Sequence, residues 1–166
     1  MRQIQIYENA DILCGELAEA LPIPASVSEP IHIALSGGYT PTLFFEKMAA
    51  VDDPDAFMNT HFYWVDERHV PEDDPESNYA VFRRLLVDTG IVPVENVHPI
   101  KYHPDIHQMT ANYEQELRKH VPFEGGYPLF DEIVLGVGED GHTASIFPDR
   151  LDLFETTDIV ATTRHP

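Results

Sequence analysis

The sequence has little of three things that would each point to a distinct class of protein: cysteine, positive charge and long apolar runs. Its one cysteine, Cys14, excludes a disulfide within the chain, which is typical of a reducing compartment. No apolar run approaches the roughly 20 residues that span a bilayer, and residues 1–10 lack the apolar core of a secretory signal. We therefore expect a cytoplasmic protein with no membrane partner.

Positive charge is scarce, because 10 lysines and arginines stand against 29 aspartates and glutamates, for a formal net charge of -19. Such a charge disfavours nucleic acid and anionic membranes as partners. An anionic small ligand would need a locally positive site. The 166 residues are 43% hydrophobic, enough for one core, so we predict a single domain over 1–166.

Segments of strand and helix character alternate along the whole chain, which predicts a doubly wound α/β fold with a mostly parallel sheet. The last predicted strand has no helix after it, so the sheet is expected to be incomplete at its C-terminal side. The predicted strands are 3–7, 31–35, 61–65, 97–100, 133–135 and 159–163. The first predicted helix begins at Asn9 or Asp11 and ends at Leu21, before Pro22 and Pro24. The second begins at Thr40, the third runs from Ser77 or Asn78 to Gly90, and the fourth covers 104–121.

The loop after the strand at 31–35 is a candidate anion site. Ser36, Gly37 and Gly38 lead to Thr40, a suitable helix N-cap followed by proline. Unpaired backbone N–H groups and the positive end of the helix dipole would together hold a phosphate group. A tight turn with nothing bound explains the same residues equally well.

Three charged residues, Asp66, Glu67 and Arg68, follow the aromatic strand at 61–65. Charges cannot continue a buried strand, so these side chains must emerge at its carboxyl end. The Arg68 guanidinium suits a pair of phosphate or carboxylate oxygens. The alternative is that Arg68 pairs with Asp66 or another carboxylate.

The richest stretch is 130–148, FDEIVLGVGEDGHTASIFP. It predicts a strand buried on both faces at 133–135, a glycine-rich turn from Gly136 to Gly141, and His142 at the start of a helix, facing the crevice at the strand ends. The turn matches G-x-G-x-x-G, but Asp140 would lie beside a pyrophosphate. The acidic residue that a dinucleotide site needs after the next strand is also missing.

Three histidines, His98, His103 and His107, lie close together in sequence and raise the question of a metal site. Their spacing straddles Pro104 and no cysteine accompanies them. We interpret them as solvated loop residues and predict no metal.

Three segments in order, LSGGYTP, WVDERHVP with ESNY, and LGVGEDGHTASIFP, resemble the 6-phosphogluconolactonases of the glucosamine-6-phosphate isomerase/6-phosphogluconolactonase family. The resemblance spans nearly the whole chain, and DGHTAS is its most specific part. It implies a three-layer Rossmann-like fold and hydrolysis of 6-phospho-D-glucono-1,5-lactone, a sugar phosphate lactone, in the oxidative pentose phosphate pathway. It implies no cofactor. Family members are usually longer than this chain.

The resemblance and the chemistry of lactone hydrolysis together assign expected roles. Histidine takes and returns protons near neutral pH, so His142 is the expected general base and then acid. Asp140 would orient its imidazole or hold sugar hydroxyls, and Gly138 with neighbouring N–H groups would supply oxyanion donors. Asp66 would shape the pocket or contact a hydroxyl. The expected phosphate contacts are Ser36, Gly37, Gly38, Thr40 and Arg68.

Two other functions stay open. Glucosamine-6-phosphate deaminases of the same superfamily have a carboxylate five residues after the histidine and usually Asp-Glu-Tyr on the earlier strand, where this chain has Phe147 and Arg68. A non-catalytic sugar-phosphate sensor would keep the phosphate loop but would not need His142.

Overall fold

The computed structural model describes residues 3–21, 29–53 and 55–164. Helices and strands alternate through most of this length. The helices are α1 (Ala10–Ala20), α2 (Tyr39–Ala49), α3 (Asn78–Phe82) and α4 (Ile106–His120); a π-helical turn, Arg83–Val87, continues α3, and 3-10 turns cover Val94–Asn96 and Leu151–Phe154. The strands are β1 (Ile31–Leu35), β2 (Thr60–Trp64), β3 (Val97–His98), β4 (Phe123–Glu124), β5 (Tyr127–Pro128) and β6 (Glu132–Val134).

Four of the strands form one parallel sheet in the order β3-β2-β1-β6. Ala34 of β1 lies opposite Tyr63 of β2 on one side and Ile133 of β6 on the other. Strands β4 and β5 make a separate antiparallel hairpin. Parallel strands need crossover connections, and the mixed α/β architecture with a parallel sheet confirms the predicted fold class.

Side chains alternate across the sheet and fill two cores. One face of β1 and β2 packs against α1, α2 and α3, and its largest buried members include Phe44, Phe45, Phe62 and Phe82. The opposite face presents Ala34 and Tyr63 to α4. The Tyr113 hydroxyl of α4 donates to the Trp64 carbonyl at 2.8 Å and accepts from the Trp64 N–H at 2.9 Å, at the end of β2. Helices therefore cover both faces, giving three layers.

Strand β6 is an edge strand in the part of the chain that the structure describes. Ile133 is 54% exposed and Leu135 is 52% exposed. The prediction that this strand is buried on both faces is wrong here, because β6 has a neighbour only on its β1 side and neither face is fully covered.

Several predicted boundaries differ from the structure. Residues 3–7 and 159–163 are not strands; both have strand-like composition, but neither pairs with another described segment. Helix α1 begins after Asn9, whose side chain accepts the Ile12 N–H as predicted. It ends at Ala20, and the predicted breakers Pro22 and Pro24 lie outside the described residues.

Candidate active site

Three loops meet at the carboxyl edge of the sheet, and they follow β1, β2 and β6. Because β1 lies between the other two strands, its loop is flanked by both. The Ser36 N–H donates to the Val134 carbonyl at 3.1 Å, and the Val65 N–H donates to the Leu35 carbonyl at 3.0 Å. Ligands of open α/β sheets bind at such an edge.

The loop after β1 presents free amides at a helix N-terminus. Gly38, with φ of 112°, is the N-cap of α2 and has no side-chain cap, so the predicted N-cap Thr40 instead lies in the first turn. Positive φ is strained for residues other than glycine, which explains why glycine occupies this place. The N–H groups of Gly37, Gly38, Tyr39 and Thr40 donate to no described residue, and the buried Ser36 hydroxyl has no partner among them.

Asn78 fixes this loop against the one after β2. A Cβ on Gly37 would lie 1.9 Å from the Asn78 side-chain oxygen, so only glycine allows this contact. The Asn78 amide donates to the Asp66 carbonyl at 3.0 Å. Asn78 was predicted only as a possible helix cap, and its contacts add it to the site.

Glu67 ties the β2 loop to the start of α3. Its carboxylate accepts the backbone N–H groups of Arg68 at 2.7 Å, Asn78 at 2.7 Å and Tyr79 at 3.0 Å. It also accepts the Ser77 hydroxyl at 2.9 Å. Negative charge at a helix N-terminus is stabilising, so these hydrogen bonds of Glu67 hold the end of β2 against the start of α3.

Asp66 and Arg68 have different surroundings. The Asp66 Oδ2 accepts the Ser145 hydroxyl at 2.6 Å, which links the β2 loop to the β6 loop. Arg68 is exposed, and its guanidinium makes no ion pair or hydrogen bond with any residue that the structure describes. Arg68 therefore does not neutralise Asp66, and its guanidinium is available to an anion.

His142 lies on the β6 loop and is oriented by Asp140. The imidazole Nδ1 is 2.5 Å from Asp140 Oδ1, and the His142 backbone N–H donates to the same oxygen at 3.1 Å. The backbone and side-chain hydrogen bonds from His142 hold the pKa of the Asp140 carboxyl below its usual value. The predicted orienting contact is present, and it leaves Nε2 as the nitrogen that can exchange a proton with a ligand.

The His142 ring lies close to Phe147 and Gly138. Its centroid lies 5.0 Å from that of Phe147. A Cβ on Gly138 would lie 2.2 Å from the His142 Cε1. The imidazole side chain is 33% exposed, so it is partly buried and partly open to solvent.

Two expectations about the β6 loop are wrong. The Gly138 N–H donates to the His142 carbonyl at 2.8 Å, so it is not a free oxyanion donor; Gly138 instead provides room for the imidazole. His142 does not begin a helix either. Residues 143–146 form a tight turn closed by a bridge between Thr143 and Ile146, with Ala144 at φ of 48°.

The chain was compared with known proteins. A family model described as glucosamine-6-phosphate isomerases/6-phosphogluconolactonase matches residues 8–166. The chain belongs to this family. A Haemophilus influenzae protein named 6-phosphogluconolactonase is 38% identical over 162 residues, which cover 96% of this chain and 68% of that protein. The same name is carried by a Treponema pallidum relative, 32% identical over 97% of this chain and 67% of its own length.

Solved structures agree with the family assignment. A structure titled "Crystal Structure of devB protein" superposes with a TM-score of 0.90 at 36% identity, covering 98% of this chain and 68% of that one. The 6-phosphogluconolactonase of Trypanosoma brucei gives a TM-score of 0.76 at 29% identity, covering 89% of this chain and 64% of its own. This chain therefore spans about two thirds of the length of these relatives.

A cavity of about 410 Å³ in this family member does not surround His142. It lies between the sheet face that packs on α4 and residues 156–163, and its lining is mostly apolar. Asp66 and Ser145 border it, but none of Ser36, Gly38, Asp140 and His142 does. The charged groups of the three loops form the site that fits a polar ligand, because the cavity offers few polar partners.

Ser145 is the contact that sequence reasoning missed. It was part of the DGHTAS segment but had no assigned role. Its hydroxyl donates to Asp66, 79 positions earlier in the chain. A serine three residues after the family histidine gives no signal of that partner unless the strand order is known.

Proposed function

We propose that this chain hydrolyses 6-phospho-D-glucono-1,5-lactone to 6-phospho-D-gluconate, a step of the oxidative pentose phosphate pathway. The carrying observation is the 2.5 Å contact between Asp140 and His142 on the loop after β6, a strand that pairs with β1, whose own following loop carries free amides. Relatives named 6-phosphogluconolactonase that cover almost all of this chain support the proposal.

The reaction needs a base, which His142 supplies. With Nδ1–H held by Asp140, Nε2 accepts a proton from the attacking water as its oxygen bonds to the lactone carbonyl carbon. The tetrahedral intermediate then breaks its bond to the ring oxygen, which takes the proton from the imidazolium. The product is an open-chain carboxylic acid that ionises at neutral pH. No step of this scheme uses a metal or a nucleotide.

The phosphate group of the substrate would bind at the N-terminus of α2. The free N–H groups of Gly37, Gly38, Tyr39 and Thr40 favour an anion site at this turn. The buried Ser36 hydroxyl, which has no partner among the described residues, can add a fifth donor. The Arg68 guanidinium adds a charge. In a chain with a formal charge of -19, a dianionic substrate requires such local compensation.

Asp66 acts in this scheme as a positioning residue. Its carboxylate accepts the hydroxyl of Ser145, on the loop that carries His142. Its backbone carbonyl accepts the side-chain amide of Asn78, which contacts the loop that carries Gly37. The distance between the anion site and the base therefore depends on Asp66.

Between the two activities in the family description, the residues around His142 favour the lactonase. Amino-sugar deamination with isomerisation needs a further acid-base group, and Phe147 stands where the deaminases have a carboxylate. The Phe147 ring packs 5.0 Å from that of His142 and cannot exchange a proton.

We further propose a reducing, cytoplasmic setting and no nucleic-acid partner. Cys14 is fully buried, and burial, followed by the negative charge of Asp11, raises the pKa of its thiol, which disfavours redox chemistry. The net charge of -19 opposes binding to polyanions. Of the helices that the structure describes, none has the length and apolar character needed to cross a membrane.

The test compares lactone hydrolysis above the spontaneous rate for the wild type, His142→Ala and His107→Ala. His107 is an exposed histidine on α4 and serves as the matched control. We expect His142→Ala to lose at least 100-fold in kcat, since general-base catalysis contributes roughly 10²–10⁴-fold, while His107→Ala keeps full activity. Binding of 6-phosphogluconate should persist in both variants. Equal hydrolysis by all three proteins with undiminished binding would favour a sugar-phosphate sensor.

A further inference from the structure

A second polar cluster lies outside the candidate active site, where β2 and β3 pack on the last turn of α4. His98 of β3 is 3% exposed, and its Nδ1 lies 2.7 Å from Glu116 Oε1. His120, one turn after Glu116 on α4, places Nε2 3.5 Å from the same oxygen. The proposed mechanism uses none of these groups.

We propose that His98, Glu116 and His120 form a binding site for a transition-metal ion, with Zn²⁺ as the preferred occupant. The three ligand atoms, one from each residue, lie within 4.8 Å of one another. Two imidazole nitrogens and one carboxylate oxygen are a ligand set that zinc sites use, with a fourth position left for water.

The spacing suits zinc after small side-chain movements. Bonds of about 2.0–2.2 Å to nitrogen and oxygen place tetrahedral ligand atoms roughly 3.3–3.5 Å apart. The observed 3.5 Å between His120 and Glu116 already matches, and the 2.7 Å between His98 and Glu116 must open by less than an ångström. The ligand nitrogens of His98 and His120 lie within 4.8 Å of each other and must close to the same spacing. The Glu116 and His120 side chains are 35% and 29% exposed, so they can move and an ion can enter.

The buried ligand is held from behind, as metal-bound histidines usually are. The His98 Nε2 lies 2.9 Å from the Nδ1 of His61, and Tyr63 stacks on the His98 ring at 4.6 Å with 8° between the planes. When a metal replaces the shared proton between His98 Nδ1 and Glu116, the His98 Nε2–H donates to His61. These contacts fix the ring with Nδ1 toward the proposed ion.

Two features of the surroundings favour a cation. The site lies at the C-terminal end of the 15-residue helix α4, where the helix dipole is negative. The whole chain has a formal charge of -19, which raises the local concentration of cations. The arrangement differs from the cluster suggested by sequence, because His98 is buried rather than solvated and its partners are not His103 and His107.

The bound ion would clamp α4 to the edge of the sheet. Such a site is independent of the proposed lactone hydrolysis, so each can fail alone. A ligand that binds only the folded state raises the unfolding temperature, so zinc should stabilise the protein without changing its hydrolytic rate.

The experiment titrates Zn²⁺ into the untagged, chelator-treated chain by calorimetry, and uses Co²⁺ absorption in the visible to report four-coordinate geometry. The wild type should bind one Zn²⁺ per chain with a rise in Tm. His120→Ala and Glu116→Gln should weaken binding at least tenfold. The matched controls His107→Ala, at an exposed position, and Glu114→Gln, at a half-buried position of the same helix, should bind as the wild type does.

Three results would overturn the inference: no saturable one-site binding by the wild type, wild-type affinity in both site variants, or an equal loss in the control variants. Circular dichroism before titration tests whether the variants fold. Glu116→Gln keeps the size of the side chain and decides the matter if His120→Ala is unfolded.

Discussion

Gly138→Ala tests whether the position of the imidazole controls the rate. The added Cβ would lie 2.2 Å from Cε1, 2.4 Å from Nδ1 and 2.8 Å from Nε2 of His142. Ordinary contact begins at about 3.4 Å, so the ring must withdraw by roughly 1 Å. That movement stretches or breaks the 2.5 Å contact with Asp140.

A misplacement of about 1 Å at a reacting group costs on the order of 100-fold in rate, equivalent to roughly 2.7 kcal/mol of activation free energy. We therefore expect kcat for 6-phospho-D-glucono-1,5-lactone to fall about 100-fold in Gly138→Ala. KM should change little, because the proposed phosphate contacts lie on the loops after β1 and β2. The fold should survive, since the only displaced group is the end of a partly exposed side chain.

The control is Gly136→Ala in the same loop. A Cβ there has no atom within 4 Å and no positive φ to oppose it. Hydrolysis is followed at pH 7 against the spontaneous background, with the Tm of each variant measured in parallel and the His142 tautomer followed by ¹⁵N NMR. The reasoning fails if Gly138→Ala keeps more than half of the wild-type kcat, or if Gly136→Ala loses as much.

Three further predictions concern charged residues. Arg68→Ala should raise KM at least tenfold, since an arginine–phosphate contact contributes about 1.5–3 kcal/mol. Arg118→Ala, which removes an exposed ion pair on α4, should leave KM unchanged. Steady-state kinetics on both variants test this, and equal effects on KM would refute the assignment of Arg68. Glu67→Ala should lower the free energy of unfolding by about 2–4 kcal/mol, because four donors lose their acceptor; urea denaturation should show this loss and a change within about 0.5 kcal/mol for the exposed Glu124→Ala. Asp140→Asn should lower kcat by about 100-fold or more at every pH at which the wild-type carboxyl is ionised. Because the pKa of that carboxyl is lowered, this range extends below the ordinary pKa of an aspartate. A pH–rate profile in which the variant regains wild-type kcat at high pH would contradict this.

Local periodicity was enough to predict most of the sheet and its covering helices. The apolar run at 31–35 and the aromatic run at 61–65 became β1 and β2 with at most one residue of error at each end, and α4 followed from the spacing of Met109, Tyr113 and Leu117. These segments bury one continuous face, so their pattern and their structure agree. The division into a single domain over 1–166 stays a prediction.

Where sequence reasoning failed, the missing information was the pairing partner. Residues 3–7 and 159–163 have the composition of strands but no partner strand in the part of the chain that the structure describes, and a strand needs one for its backbone hydrogen bonds. The same limit applies to β6: its apolar side chains indicate a buried strand, but burial depends on what lies beyond the edge.

In the candidate site too, the residue types could be predicted from sequence, but their contacts could not. His142, Asp140 and the glycines of the β1 loop carry their chemistry in their residue type, so they could be proposed from sequence. The contacts of Ser145 and Asn78 could not, because each depends on backbone positions set by the order β3-β2-β1-β6. The contact of Gly138 with His142 depends on the conformation of the loop after β6. The Gly138 amide illustrates the point, since a glycine-rich turn has free N–H groups on average but this one is occupied by the His142 carbonyl.

The resulting site explains how a loop on an edge strand can carry a base with a defined position. Strand β6 contributes only three residues to the sheet, too few to fix the loop that follows it. Precision comes from β2, because Asp66 grips Ser145 at 2.6 Å while Glu67, its neighbour, is held by four donors on and near α3. The loop after β2 thus positions the imidazole through the hydrogen bond between Ser145 and Asp66. The carboxylates of Asp66 and Glu67 stabilise the loops near the proposed phosphate site, although their negative charge opposes that of the substrate.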